Sequence, residues 1–341
     1  CRLQRNSGMS EIPLSLNLSD RPAARLPENS LSRLPPHDLA PPPDGGALSC
    51  AAVPGPPSDT IATLLVSCPD QRGIVAALAQ LLYGHGANIL DADQHTDPVA
   101  GQFFQRIRVD LSQIHTDRTS LERAIGEVAA RFQMTWRIAY GRAPKRMAIF
   151  VSKYDHCLYD LLLRHRAGEL ACEIPLILSN HPDLKRVADQ FDLPFEVFPI
   201  TRDNKREQEA REMQRIEELQ IELLVLARYM QVLSGEFVAR HAGRIINIHH
   251  SFLPAFMGSK PYHQAHSRGV KLIGATAHYA TTDLDEGPII DQDVARCSHR
   301  DSIEDLVRKG RDLEKVVLAR AVRLHLDDRI LVYGNKTVVF D

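Results

Sequence analysis

Arg244-Ile-Ile-Asn-Ile-His-His-Ser-Phe-Leu-Pro254 is the stretch on which the fold turns. Ile245, Ile246 and Ile248 form a short β-branched run of the kind that makes a buried strand, and Pro254 stops any ladder beyond it. The run ends in Asn247, His249, His250 and Ser251, so polar chemistry sits at the strand's carboxyl end, where open α/β sheets hold their ligand crevice. A second apolar strand runs into Thr276-Ala-His-Tyr-Ala-Thr-Thr-Asp-Leu-Asp-Glu-Gly-Pro288, a carboxylate-rich turn closed by Gly287 and Pro288. An amide, an imidazole and a carboxylate suit attack on a small carbonyl. Asn247 can donate to a developing oxyanion, His249 can exchange a proton near neutral pH, and Asp285 can orient an attacking group or fix the imidazole. Any one of them alone would more often be a cap or a satisfied polar group; the argument rests on their joint occurrence.

Upstream, Arg146–Ser152 reads as a strand and Cys157–Arg166 as a helix, joined by Lys153-Tyr-Asp-His156. Further strands at Glu173–Leu178, Phe195–Ile200 and Leu223–Ala227 alternate with helices around Asp183–Phe191 and Lys205–Gln220. This alternation implies a mostly parallel sheet with helices on both sides. The charge of the Lys205–Gln220 helix reads as a solvated face, and Glu207 and Arg211 stand at i,i+4 spacing. After a strand near Pro288–Val294, a helix from Ser302 to Leu326 and a hairpin packing Ile330, Val332, Val338 and Phe340 look structural.

Residues 61 to 140 have another pattern. Strand Ile61–Ser67 enters the Cys68-Pro-Asp-Gln-Arg-Gly73 turn, with Asp70 available as a helix N-cap, and Ile74, Leu78, Leu81 and Leu82 repeat at helical spacing. A strand near Asn88–Gln94, a strand Phe103–Leu111, a helix Thr119–Arg131 and a strand Met134–Tyr140 complete the order βαββαβ. On Phe103–Leu111, the face bearing Arg106, Arg108 and Asp110 is expected to meet water. Residues 1–59 are rich in Pro and Ser and read as a disordered leader: a native tail, a targeting peptide or an artefact of the start site.

The chain has 341 residues, 44% hydrophobic and 25% charged, enough for two cores. Its formal net charge of -2 offers no field for nucleic acid or anionic lipid, and no apolar run approaches a membrane span. Six scattered cysteines lack CxxC spacing, which argues against a zinc site or disulfide framework and fits a reducing, cytoplasmic location. Cys157 reads either as a nucleophile or as the commoner buried thiol. In Gly258-Ser-Lys-Pro-Tyr-His-Gln-Ala-His266, Lys260, His263 and His266 lack a carboxylate companion, so no metal is expected.

Asn247-Ile-His249-His-Ser251-x-Leu253-Pro254, with His278 and Asp283-Leu-Asp285-Glu-Gly287-Pro288, resembles the signature of the formyltetrahydrofolate-dependent formyltransferase fold. In that family the matching Asn, His and Asp surround the formyl carbon. The resemblance implies that Met230, Val232 and Leu233 wall a slot for the pterin ring, with Gln231, Ser251, His278, Leu284 and Gly287 also near substrate. Gln231 stands where some relatives carry Arg. The Asp70–Val75 turn and its element order resemble an ACT domain, which implies an amino-acid effector, glycine or methionine, held by Asp70, Gly73, Ile74, Asn88 and Ile89, and self-association. An oligomerisation module with a purely structural turn is the competing reading.

The fold expected is therefore α/β: a ferredoxin-like βαββαβ ACT domain over 60–141, then a Rossmann-like formyltransferase domain over 146–341. The Lys153–His156 loop lacks the glycines that approach a phosphate in relatives acting on a phosphorylated glycinamide nucleotide. The whole of Ile61 onward is similar to formyltetrahydrofolate deformylases. That resemblance implies hydrolysis of 10-formyltetrahydrofolate, a substrate with no permanently bound cofactor, to formate and tetrahydrofolate in support of purine synthesis. In that chemistry Asn247 and protonated His249 would hold the oxyanion and Asp285 would position water, with either Asp285 or His249 as the base. The alternatives are a formyltransferase using a small non-phosphorylated amine and a non-catalytic amino-acid and folate sensor.

Overall fold

The structure, a computed structural model, describes residues 60–141, 144–255 and 261–341. The leader expected over 1–59 lies outside the described residues, as do Gly258, Ser259 and Lys260.

The first sheet is built from β1 (Ile61–Pro69), β2 (Asn88–Asp97), β3 (Gln102–Asp110) and β4 (Thr135–Tyr140), in the antiparallel order β2-β3-β1-β4. Helices α1 (Ile74–Gly84) and α2 (Arg118–Phe132) lie on one face of it. Alternation along β1 sends Ala62, Leu64, Val66 and Cys68 toward those helices, which return Ile74, Leu78 and Leu82 from α1 and Leu121, Ile125 and Phe132 from α2. Burying each such Leu or Ile stabilises the fold by about 1.5–3 kcal/mol. Asp117 caps α2 by accepting from Ser120 N. Asp70 does not cap α1. Gly73 occupies that position with no side-chain cap bond, while Asp70 N donates to Gly101 O at 2.9 Å.

The expectation that the second face of this sheet meets water holds at Arg108, which is exposed, and fails at Arg106. Leu65 and Phe104 pack there with Val338 and Phe340 of the hairpin β12 (Ile330–Tyr333) and β13 (Lys336–Val339). The Arg106 side chain is 3% exposed; its Nη1 meets Asp91 at 2.9 Å and its Nε donates to Asp328 O at 3.1 Å. The guanidinium is long enough to exchange water for backbone carbonyls, which binary patterning cannot register. Val332, expected to pack, is instead 45% exposed, because the alternate residues Leu331 and Tyr333 turn to the sheet.

The second sheet comprises β5 (Lys145–Val151), β6 (Cys172–Ser179), β7 (Phe195–Val197), β8 (Leu223–Leu226), β9 (Ile245–His249), β10 (Leu272–Tyr279) and β11 (Ile289–Arg296). Among the described residues the order is β11-β10-β9-β8-β5-β6-β7, parallel from β7 to β9 and antiparallel at β10 and β11. Both faces are buried. Met147, Ile149, Val225, Ile246 and Ile248 pack with α3 (His156–Arg166) and α8 (Ile303–Leu326), while Ala148, Phe150, Leu224 and Ile245 pack with α5 (Lys205–Glu218) and α6 (Gly235–Arg240). From β5 the chain moves outward to β6 and β7, then returns to place β8 on the other side of β5. The carboxyl ends of β5 and β8 thus form a topological switch point where a crevice opens.

Two helices depart from expectation. Glu209 and Glu212 of α5 are buried at 4% and 0% exposure: Glu209 accepts from Ser234 N at 3.0 Å and Glu212 from Tyr229 hydroxyl at 3.3 Å. That side of the helix braces the loop after β8 instead of facing water. In α8, Ser302 and Asp305 form a capping box, but Glu314 stands buried on its apolar stripe with Gly310 and Val317.

Candidate active site

Strand pairing assembles the first part of the site. β10 runs antiparallel to β9 with Asn247 opposite His278, and directly opposed residues share a sheet face. Asn247 Nδ2 lies 3.1 Å from His278 Nε2, and His278 Nδ1 lies 3.0 Å from Tyr279 O. A carbonyl only accepts, so His278 carries its proton on Nδ1 and its Nε2 accepts from the Asn247 amide. Burial holds the His278 pKa below its ordinary value and keeps the ring neutral. The amide is thereby oriented, with its second Nδ2 hydrogen uncommitted.

The turn after β10 supplies the carboxylate. Thr281 Oγ1 donates to Asp283 O at 3.0 Å, Glu286 N to Asp283 O at 3.3 Å, and Tyr279 N to Pro288 O at 2.9 Å. Gly287 is required by this closure, because a Cβ there would stand 1.8 Å from Tyr279 O. Asp285 is left in the left-handed region at φ 58°, a conformation that a non-glycine residue adopts at some cost. In that conformation Asp285 Oδ1 lies 3.1 Å from His249 Nδ1 and 3.8 Å from His278 Nε2. Burial alone pushes the Asp285 carboxyl up, but the hydrogen bond from His249 and the neighbouring imidazoles outweigh it and hold the pKa below the usual carboxylate range. His249 Nε2 is buried and has no hydrogen-bond partner among the described residues. An imidazole fixed at one nitrogen by a carboxylate and free at the other is fitted to move a proton.

Asn247, His249, His278 and Asp285 all line one cavity of about 680 Å³, within the range of small-molecule sites. Met230, Gln231, Val232, Leu233 and Leu284 line it as well. Met230, Val232 and Leu284 are 52%, 57% and 62% exposed, apolar surface that a flat ligand would cover. The Met230 end is fixed by Ser152, whose Oγ accepts from Met230 N at 2.9 Å and donates to Asn180 Oδ1 at 2.7 Å.

Two residues expected beside substrate are not part of the cavity lining. Ser251 is 4% exposed and donates to Ala255 O at 2.8 Å, tying down the loop after β9. Gly287 is packed against Tyr279 as described, a steric requirement of the turn.

Sequence reasoning missed the opposite wall. Glu314, 1% exposed, accepts from Tyr262 hydroxyl at 2.8 Å and lies 2.8 Å from His156 Nε2 and 3.4 Å from Arg228 Nε. Burial would raise its pKa, but these partners hold it below the usual range. Arg228 also lies over the Tyr154 ring, 4.9 Å from its centroid. His250, half-buried beside Arg228, is pushed down to about 4 and is neutral at physiological pH. The signal available was a carboxylate on the apolar stripe of α8, four residues from Gly310, which burial tolerates only when paired.

His156, Cys157 and Glu314 present three ligand-type atoms within 4.8 Å of one another. The Arg228 guanidinium already neutralises Glu314, and burial pushes the Cys157 thiol well above its ordinary pKa. The arrangement is a compensated carboxylate, and Cys157 is a core thiol, 0% exposed.

The effector expectation divides. Asp70, Gly73 and Ile74 border a depression with Thr96 and Phe103. Asn88 pairs with Asp110, which pairs with Ile61 at the far end of β1, roughly 27 Å of strand away. Asn88 and Ile89 therefore do not share a site with the Asp70–Ile74 turn inside one chain.

Comparison with known proteins places the two sheets. Residues 62–126 match the ACT domain and residues 145–322 match the formyl transferase family. The chain is 60% identical over 279 residues to a formyltetrahydrofolate deformylase of Synechocystis sp., covering 82% of this chain and 98% of that protein. It is 50% identical over 279 residues to the Bacillus subtilis deformylase, covering 82% and 93% respectively. The crystal structure of a formyltetrahydrofolate deformylase from Pseudomonas syringae pv. tomato superposes with a TM-score of 0.80 at 47% identity, covering 82% of this chain and 94% of that one. With an ACT sheet, a formyltransferase sheet and this level of identity along both, the chain belongs to the formyltetrahydrofolate deformylase family.

Proposed function

We propose that this chain hydrolyses 10-formyltetrahydrofolate to formate and tetrahydrofolate, with residues 146–341 as the catalytic unit and residues 60–141 as a regulatory one. The observation that carries the reading is the convergence of Asn247, His249 and Asp285 on one cavity beside exposed apolar walls. The pterin ring lies between Met230, Val232, Leu233 and Leu284, with Gln231 at the slot's edge. Water attacks the formyl carbon, and its proton passes to the Asp285–His249 pair. The tetrahedral oxygen takes its negative charge against the free Nδ2 hydrogen of Asn247. His249 Nε2 then returns the proton to the departing folate nitrogen, and formate leaves as the anion.

The same proton relay would serve an amine acceptor. Two features favour water: the Ser152–Cys157 connection has no glycine to approach a phosphate, and the Arg228–Glu314–Tyr262 wall is already internally paired. Incubation with 10-formyltetrahydrofolate and no acceptor separates the readings. Formate release at full rate supports the hydrolase, release only on adding an amine supports a formyltransferase, and binding without release supports a sensor.

On the ACT side the reading is an amino-acid effector, glycine or methionine, at the Asp70-Gly73-Ile74 turn, with homo-oligomerisation through the sheet. Titrating each amino acid into the same assay tests it; a rate unmoved by both removes the effector. Among the described residues no helix is long and apolar enough to cross a membrane, and Cys68, Cys157, Cys172 and Cys297 are free thiols, which supports a cytoplasmic setting.

A further inference from the structure

The turn that carries Asp285 has to hold a left-handed aspartate at the cavity floor, and its internal bonds are only part of what holds it. The β12–β13 hairpin reaches it from outside. Asn335 Nδ2, at the tip of the hairpin, donates to Glu286 O at 2.8 Å, one residue beyond Asp285. Thr337 Oγ1 donates to Ile289 O at 2.6 Å, just past the turn's closing proline. The two bonds fix the turn's far side at two points.

The same tip is fastened to the ACT sheet. Tyr333 hydroxyl donates to Asp97 Oδ2 at 2.9 Å, and Lys336 Nζ lies 3.9 Å from the same oxygen. The other oxygen of Asp97 accepts from Val99 N at 2.9 Å and Ala100 N at 3.0 Å, which shapes the β2–β3 turn. The next residue, Gly101, accepts from Asp70 N at 2.9 Å. Hydrogen bonds and stretches of one or two peptide links thus run without a gap from the Asp70–Ile74 turn, through Asp97, Tyr333 and Asn335, to Asp285.

We infer that Asn335 is a positioning residue for the hydrolysis, holding the Asp285 turn in its productive conformation through Glu286 O, and that Tyr333 ties this hold to the ACT sheet through Asp97. The inference rests on the hydrolytic reading above. Asn335 touches neither substrate nor the reacting atoms, so its loss should disturb the placement of Asp285 more than the folate slot, which shares only Leu284 with the turn and keeps its Met230–Leu233 walls. Misplacing a reacting group by a fraction of an ångström is enough to slow a step severalfold.

The test uses the full chain and variants N335G, N335D and Y333F. Glycine and aspartate both suit a two-residue hairpin turn, so the hairpin folds, while neither can donate to Glu286 O. Formate release without acceptor is measured first on the unaltered protein. N335G and N335D should each lower kcat about tenfold with KM for 10-formyltetrahydrofolate within about twofold and an unchanged melting profile. Y333F should lower kcat about threefold, and Y333F combined with N335G should be no slower than N335G alone, since the tether is already cut. An unchanged kcat in N335G, a rise in KM with kcat intact, or losses that multiply in the double variant would each overturn the inference. If the unaltered protein releases no formate, the hydrolytic reading itself fails and the positioning role falls with it. Release by the unaltered protein with N335G equally fast defeats the positioning role alone.

Discussion

Replacing Asn247 by alanine should have two separable effects whose sizes follow from its two hydrogens. One hydrogen is committed to His278 Nε2 at 3.1 Å; the other is free for the reacting oxygen. Losing an oxyanion donor lowers kcat by roughly a hundredfold to a thousandfold, about 2.7–4 kcal/mol of transition-state stabilisation. Losing the first bond leaves His278 Nε2 as a buried acceptor without a partner, which costs about 1–3 kcal/mol of folding stability. For a chain of this size that is a fall in Tm of roughly 2–5 °C. The isosteric N247D keeps the volume but sets an acceptor against the His278 lone pair and a second carboxylate near Asp285, so it should be no more active than N247A. Acceptor-free formate release, read through a formate-oxidising coupling enzyme, gives kcat; equilibrium quenching by folate gives affinity, expected to stay within about threefold. Turnover by N247A within about tenfold of the unaltered rate would refute the oxyanion role. So would an intact kcat accompanied by lost binding.

Asp285→Ala should retain folate binding and lose formate release by at least about a hundredfold; a rate near the unaltered one removes the carboxylate from the chemistry. Cys157→Ser should leave kcat within about twofold, because the thiol is buried and its pKa lies far above neutrality, and a loss beyond about tenfold would reinstate it as a nucleophile. Two imidazoles should draw stability down in acid, against the opposite contribution of Glu212, whose carboxyl burial pushes up to about 8. His250 and His325 are pushed down to about 4 and about 3 by burial, while in the unfolded chain they take up protons near 6.5. Folded-state pKa values below the unfolded ones mean that this stability is complete above about pH 6.5 and is lost as pH falls toward the folded values. Each contributes a loss of about 1 kcal/mol between pH 7.5 and 5.5, read as the change in denaturant midpoint relative to a variant that lacks the ring. Between those pH values H325Q should lose about 1 kcal/mol less than the unaltered protein, and an identical change in both would contradict a neutral His325 ring.

How much of this was legible depended on whether a residue's role was local. The Ile245–His249 strand, the helix repeats and the Asp283–Pro288 turn follow from side-chain period and turn chemistry, and they lie where the pattern put them. Asn247, His278 and Asp285 could be named because strand ends and turns announce polar chemistry. Arg106, Glu212 and Glu314 could not. Each is a charged residue buried by a partner more than a dozen residues away, Asp328, Tyr229 and Tyr262 respectively, and binary patterning assigns such residues to water. Ser251 and Gly287 mislead in the opposite direction. They belong to the motif because the backbone needs them to bring Asn247, His249 and Asp285 together, and so they sit beside the chemistry without facing the cavity.

Because the C-terminal hairpin occupies the second face of the ACT sheet through Leu65, Phe104, Val338 and Phe340, no second copy can stack its own sheet there. Lateral addition remains, and β2 is an unpaired border carrying Ile89 and Leu90, 38% and 43% exposed. Two such borders paired antiparallel about a dyad would set Asn88 of one molecule against the Asp97 end of the other, within reach of its Asp70 turn. Residues that lie a strand's length apart in the monomer would then become neighbours across the seam.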